Sequence, residues 1–460
     1  MKKTTQKFFN RVFVLIFIIF LCTSFSLLMF LPTPIWSPKI HFIPKPIPNL
    51  TDSNEQFFQS IINACIFAFN SHFENCKFSD EFLPSSKQCR DTFGFYSTII
   101  ESIETIYLMH LENLSTIIKY FLQENFDCSK IGWVNRREFW SRLVGSFIGS
   151  YHLSHDPFYL YHAEKCASLM MNIEKKRKHP FPFININESK YKKRIWTNGT
   201  SLNEISVGIP EFFALFKITK NQTYINSANR ILKTLPTIKK EKKLPEILSI
   251  PRGFVATNMR NVDILSINFY RNLAIANNIQ KSGKIVKILE NMEKTLKVDL
   301  NVNFSRFIPL LDTYPYSFKF ANQYNLKKKV IELYSSPEFK IFKPGSNFQI
   351  SGFTFEADSL RIFLRDVTVN NDIKMKTLIM EVISESLNKL KIENGYSGIS
   401  HSNSEKFVFD KIQHSNFISQ WLKVGILLDR SYPDLVNTAI FNEKGHILSC
   451  DFMNKKSCDL

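Results

Sequence analysis

Glu138 and Arg142 stand four residues apart in the segment Arg137-Glu-Phe-Trp-Ser-Arg142, a spacing that sets a carboxylate and a guanidinium side by side on one helical face. Alone, such a pair is a commonplace surface ion pair. It gains interest because acidic residues also stand between apolar helical stretches of a chain in which 59 Lys and Arg outnumber 41 Asp and Glu. Carboxyl groups gathered in this way can do acid and base chemistry, provided that one is protonated while another is ionised. Other chemistries lack their residues. The chain has no GxxxxGK[ST] phosphate loop, no G-x-S-x-G elbow and no H-E-x-x-H pair. His152 and His155 flank a turn after an apolar helix, where histidine is more often structural than ligating. No CxxC or Cys/His cluster has zinc spacing.

The elements that must position these groups are helical. With 44% hydrophobic and 22% charged residues, the 460-residue chain has the balance of a globular protein with ample core. Only 14 glycines beside 44 phenylalanines favour long helices over tightly turned β architecture. Three stretches share one layout of apolar helix, short polar turn and second helix: SFIGSYHLSHDPFYLYHAEKCASLM from Ser146, EFFALFKITKNQTYINSANRILKTL from Glu211, and SLRIFLRDVTVNNDIKMKTLIMEVI from Ser359. Repeated helix hairpins bury their apolar faces on their neighbours and curve into an open solenoid or a closed α/α barrel. Periodicity does not choose between the two, and an irregular helical bundle is the plain alternative.

Ahead of this body, Val12 to Leu31 form an unbroken apolar run of the length a membrane-crossing helix needs, preceded by Lys2, Lys3, Lys7 and Arg11. Basic flanks stay cytoplasmic, so the reading is a type II signal anchor: residues 1–11 a cytoplasmic tail, 12–31 the transmembrane helix, and 32–54 a Pro-rich stem. A folded domain of 55–447 and a tail of 448–460 follow on the lumenal side. A cleaved signal peptide would be shorter and end at small residues. Sequons stand at Asn49, Asn113, Asn187, Asn198, Asn221 and Asn303. Seven cysteines lie beyond the anchor, an odd number, so at least one is free or pairs with another chain. The net charge of +18 comes from scattered lysines, which argues for a solvated basic surface and against nucleic acid as a partner.

The stretch Phe93-Gly-Phe-Tyr-Ser-Thr-Ile-Ile-Glu-Ser-Ile-Glu-Thr-Ile-Tyr-Leu-Met-His-Leu111 resembles the first signature of the class I α-1,2-mannosidases, glycoside hydrolase family 47, with Glu101 and Glu104 at its acidic positions. Residues 137–154 are similar to the family's "FE..IR..GG…AY.LS" segment, and Leu202 to Thr219, with Glu204 and Glu211, to its "LAE…LEF..L..LT" segment. Asn394-Gly-Tyr-Ser-Gly398 and Phe441-Asn-Glu-Lys-Gly-His446 follow in order, resembling "NGY.G" and "FNTE.H". This resemblance implies an all-α fold, a closed barrel of seven helix pairs with calcium at its floor. It also implies removal of α-1,2-linked mannose from high-mannose N-glycans with inversion, which needs an acid and a base about 6.5–9.5 Å apart. By the same resemblance Glu138 is the general acid, while Arg142, Glu204 and Asp358 are substrate-binding. Glu443 stands at the calcium-binding threonine of "FNTE" and is the candidate metal ligand.

The departures fall on acidic positions. The aspartate of "DS..EYL" becomes Ser266, unless a shifted register lets Asp263 serve as base. The essential glutamate of "RPETVES" falls on Phe355, with Glu356 one residue, and so about 100° of helix, out of phase. Both glutamates of "ESFFLAETLKYL" are replaced, by His414 and Gln420. Three expectations follow: an active endoplasmic reticulum or Golgi mannosidase with a re-sited base; a pseudoenzyme acting as a lectin or partner subunit in glycoprotein quality control; or a scaffold whose floor is filled by Phe353 and Phe355.

Overall fold

A computed structural model describes residues 53–175, 179–194, 199–233, 245–249, 255–258, 264–295, 353–355, 357, 360, 361, 363, 364, 367, 368, 371–402, 407–429 and 432–450. The expected anchor and most of the stem lie outside them, as do Asp263, Glu356 and Asp358. Among the described residues no helix is long and apolar enough to cross a membrane.

The described helices, in chain order, are α1 (Ser53–Cys76), α2 (Ser97–Leu108), α3 (Glu112–Asn125), α4 (residues 136–154) and α5 (Pro157–Glu174). They continue with α6 (Leu202–Ser206), α7 (Ile209–Thr219), α8 (Gln222–Lys233), α9 (Ile264–Ile279), α10 (Gly283–Thr295), α11 (Ile373–Lys389), α12 (residues 417–426) and α13 (Pro433–Thr438). Short antiparallel strands join them, so the body is mostly helical without being purely so. β1 (Trp133–Asn135), β2 (Phe183–Asn185) and β3 (Lys190–Lys192) form one three-stranded sheet; β4 (Gly199–Ser201), β5 (Pro245–Ser249) and β6 (Val255–Asn258) form another. A last hairpin pairs Ile440–Phe441 with Ile447–Ser449.

The repeated pairs read from the sequence are α4 with α5, α7 with α8, and the helical residues between 360 and 368 with α11. Their turns share one device. His155, Lys220 and Asn371 take φ of 53°, 60° and 49°, the left-handed step that ends a helix. The next residue caps the second helix through its side-chain oxygen. Asp156 accepts from the N–H of Phe158 at 3.0 Å, Asn221 from Thr223 at 3.1 Å, and Asp372 from Met375 at 3.0 Å.

α2 is buried on nearly all sides, so it is a core helix and not a surface one. It packs on α4 and α12, both of which carry π-helical turns, Phe139–Val144 in α4 and Phe417–Leu422 in α12. Such turns re-aim side chains and concentrate at functional sites. In α12 the hydroxyl of Thr105 donates to the carbonyl of Ile418 at 3.0 Å, reaching in from α2.

Disulfides join Cys76 to Cys89 and Cys128 to Cys166, and Cys450 is disulfide-bonded as well. Among the described residues Cys65 is a buried free thiol.

Candidate functional site

The site grows from one carboxylate that organises a loop. Asp80, fully buried, accepts from five backbone N–H groups, those of Thr92, Phe93, Gly94, Phe95 and Ser97. The loop before α2 is thereby fixed, and the Phe93 ring comes to lie 4.4 Å beneath the guanidinium of Arg142.

Arg142 is the hub. Its Nε donates to Glu138 Oε2 at 2.5 Å, and its Nη1 lies within 3.1 Å of both Glu101 oxygens, Ser415 Oγ and Asn416 Oδ1. The pairing of Glu138 with Arg142 expected from their spacing is therefore present, and buried. Burial by itself would push the carboxyls up. Lys444, Arg142 and Arg137 nevertheless hold Glu138 well below the ordinary carboxylate range, and Arg142 with His446 lowers Glu101 as well.

Behind this hub the turn of the last hairpin docks against α4. Asn442 ties it down, its Nδ2 donating to Ser141 O at 2.7 Å and Glu211 Oε1 at 3.1 Å, while its Oδ1 accepts from the N–H of Lys444 and His446. A Cβ on Gly145 would stand 2.4 Å from Asn442 Nδ2, so glycine is what lets the turn approach. His446 Nδ1 meets Glu104 Oε1 at 2.5 Å, and Lys423 Nζ meets Glu104 Oε2 at 3.2 Å. Burial, with Glu443 nearby, pushes the Glu211 carboxyl up to about 7 even though Asn442 and Arg136 oppose it.

The other expected site residues are deployed differently. Glu204 Oε2 accepts from the backbone N–H of Ser201 at 3.0 Å as the third helical residue of a capping box, while Oε1 takes Arg194. Its carboxylate serves its own helix start and that arginine. Phe355, at the position of the family's essential glutamate, is completely buried with φ of 59°. It packs on Phe353, Phe417 and Trp421, with ring centroids 5.1, 4.8 and 6.3 Å away. Gln420 borders a void of about 10 Å³ shared with Ala357, Arg361, Lys423, Phe441 and Gly445, room for about one water. His414 lies between Glu81 and Asp410, at 2.9 and 2.6 Å.

The residues present do not fit a hard divalent cation at Glu443. Such an ion takes six to eight oxygens. Both Glu443 oxygens are instead engaged by Arg137, Nε to Oε1 at 2.7 Å and Nη2 to Oε2 at 3.2 Å, with Lys444 next in the chain. Among the described residues no group of three or more His, Cys, Asp or Glu is placed to hold a metal.

Sequence reasoning named Glu138, Arg142 and Glu443 but not Arg137, Lys423, Asn442 and His446, which complete the cluster. The signal for His446 and Asn442 was their place in the Phe441–His446 segment. Arg137 and Lys423 come from segments more than 280 residues apart and carried no local signal.

The described residues thus form helical hairpins packed on a core helix beside a buried cluster of carboxylates and arginine, and comparison with known proteins shows what this resembles. The model for glycosyl hydrolase family 47 matches residues 64–271. The chain is 24% identical over 243 residues to the endoplasmic reticulum mannosyl-oligosaccharide 1,2-alpha-mannosidase of Mus musculus, covering 52% of this chain and 37% of that protein. It is 25% identical over 200 residues to a mannosyl-oligosaccharide 1,2-alpha-mannosidase of Arabidopsis thaliana, covering 42% of this chain and 36% of that one. The match thus spans little more than a third of the length of these relatives. In three dimensions the chain superposes on the alpha-1,2-mannosidase from Trichoderma reesei with a TM-score of 0.61 at 14% identity, covering 86% of this chain and 99% of that structure. Over residues 64–271 the chain is thus similar to glycosyl hydrolase family 47, and its fold is that of the Trichoderma enzyme.

Proposed function

We propose that this protein is a non-hydrolytic member of its family that recognises high-mannose N-glycans on glycoproteins in the secretory pathway. It would be held there by residues 12–31 as a type II anchor, its helix pairs closing into a barrel of seven. The relatives named above are by name mannosyl-oligosaccharide 1,2-alpha-mannosidases, one of them of the endoplasmic reticulum, and this supports the ligand class and compartment.

One observation carries the loss of hydrolysis. Inverting hydrolysis needs a carboxylic acid with a proton to give and a carboxylate that activates water across the sugar. Here Glu138 is held ionised by Arg142, Arg137 and Lys444, and the position of the essential glutamate holds Phe355 inside an aromatic nest. Glu138 so held has no proton to give at neutral pH, and the essential-glutamate position offers no carboxylate. Losing such groups removes orders of magnitude in rate.

The aromatic packing around Phe355 favours a second reading, a scaffold whose sugar site is closed. Two measurements on the full-length chain separate the readings: release of mannose from a high-mannose N-glycan, and retention of that glycan on immobilised protein. The expected result is retention with no release above that of Glu138→Gln. Release that Glu138→Gln abolishes would overturn the proposal, and absence of both would leave the scaffold.

A further inference from the structure

Two departures from the family's segments meet in space. Where "FE..IR" has phenylalanine before its glutamate, this chain has Arg137; where "FNTE" has its threonine, this chain has Glu443. The two positions are 306 residues apart in sequence, yet the side chains form a two-point ion pair, at 2.7 and 3.2 Å. We infer that the Arg137 guanidinium takes over the role of the divalent cation, so that the hairpin turn 442–446 is clamped to the start of α4 by an internal organic cation and needs no metal.

Each end of the pair is built in. The Glu443 side chain is 3% exposed and that of Arg137 31%, so the anion sits inside and the cation closes over it from the rim. Arg137 is held at the first turn of α4, where Asn135 Oδ1 accepts from its N–H at 2.9 Å and Ser141 Oγ donates to its carbonyl at 2.8 Å. Glu443 belongs to the turn fixed by Asn442, whose carbonyl also accepts from Arg361 Nη1 at 2.7 Å. A guanidinium fork matches both carboxylate oxygens at once, which a point charge does not. A divalent ion there would have to displace that fork and settle beside Arg137 and Lys444. The substitutions are complementary in sign: a neutral threonine suits a bound cation supplied from solution, whereas an added carboxylate with an added arginine supplies its own. This inference is independent of the glycan reading, since neither ligand binding nor turnover enters its test.

The test uses the full-length chain in detergent, desalted after EDTA treatment and after calcium loading. Wild type should retain no stoichiometric calcium by elemental analysis and should melt at the same temperature in EDTA as in millimolar calcium chloride. Arg137→Ala should melt several degrees lower, and Arg137→Ala combined with Glu443→Gln should recover part of the loss, because removing the stranded anion relieves the damage. If Arg137→Ala does not fold, Glu443→Gln alone, which keeps the shape, still reports calcium content and melting. One calcium per wild-type chain after desalting, EDTA-lowered melting of wild type, or a double variant as low as the sum of the singles would each overturn it.

Discussion

Oε1 of Glu104 lies 2.5 Å from Nδ1 of His446, and neither side chain reaches solvent. The other oxygen takes Lys423 Nζ and the backbone N–H of Ile447, both at 3.2 Å. Burial works against this carboxylate's charge, but Lys423 and His446 hold its pKa down. α2, α12 and the last hairpin therefore converge on a single anion.

Removing that anion strands buried basic groups. Glu104→Gln is expected to cost about 3–5 kcal/mol, the penalty for breaking a buried pair from one side. Urea unfolding of wild type and variant measures it. A loss under about 1 kcal/mol would mean that the three elements are joined by apolar packing alone.

Gly149 shows how closely α4 passes the same carboxylate. A Cβ at that position would stand 2.4 Å from Glu104 Cδ and 2.5 and 2.7 Å from its oxygens. Gly149→Ala would ordinarily favour a helix by up to about 1 kcal/mol. Here the overpacking, about 1–3 kcal/mol, should win and leave the variant less stable. A rise in melting temperature would show that Glu104 can move aside at little cost.

How much of this was legible in the sequence depends on range. The helix hairpins and their polar turns could be read because caps and apolar spacing are local: Ser154-His155-Asp156 and Thr219-Lys220-Asn221 carry their own turn chemistry. The Glu138 and Arg142 pair was legible for the same reason. The Arg137 to Glu443 and Glu104 to Lys423 pairs were not, since each closes over about 300 residues and nothing in either segment names the other. Glu204 was expected at the substrate; in the structure the local Ser201-x-x-Glu204 capping box engages its carboxylate. Asp263, Glu356 and Asp358 lie outside the described residues.

Phe355 offers a direct probe of the position where the family has its essential glutamate. Phe355→Glu would return a carboxylate to the family's position, but into a nest of Phe353, Phe417 and Trp421. A carboxyl without partners in such surroundings has its pKa pushed up and costs several kcal/mol when ionised. The expected outcome is a destabilised protein that still releases no mannose, scored by urea unfolding and sugar analysis. Recovered release would mean that this single exchange had silenced the site.

His414 should give stability a pH dependence of its own. Its side chain is 12% exposed, and although burial opposes its charge, Asp410 and Glu81 push its pKa up to about 9 from an ordinary 6.5. The groups facing it are those two carboxylates. Glu81 is further held by Thr92 and Arg90, and Asp410 by Ser397. A folded-state pKa above the unfolded one means that the contribution is complete below about pH 6.5 and is lost as pH rises through about 9. The gap from 6.5 to about 9 corresponds to about 3 kcal/mol. His414→Gln cannot titrate, so its unfolding free energy should fall less than that of wild type between those pH values, while lying below it at pH 6. Parallel curves for the two proteins across that window would show that the imidazole is not charged between its carboxylates.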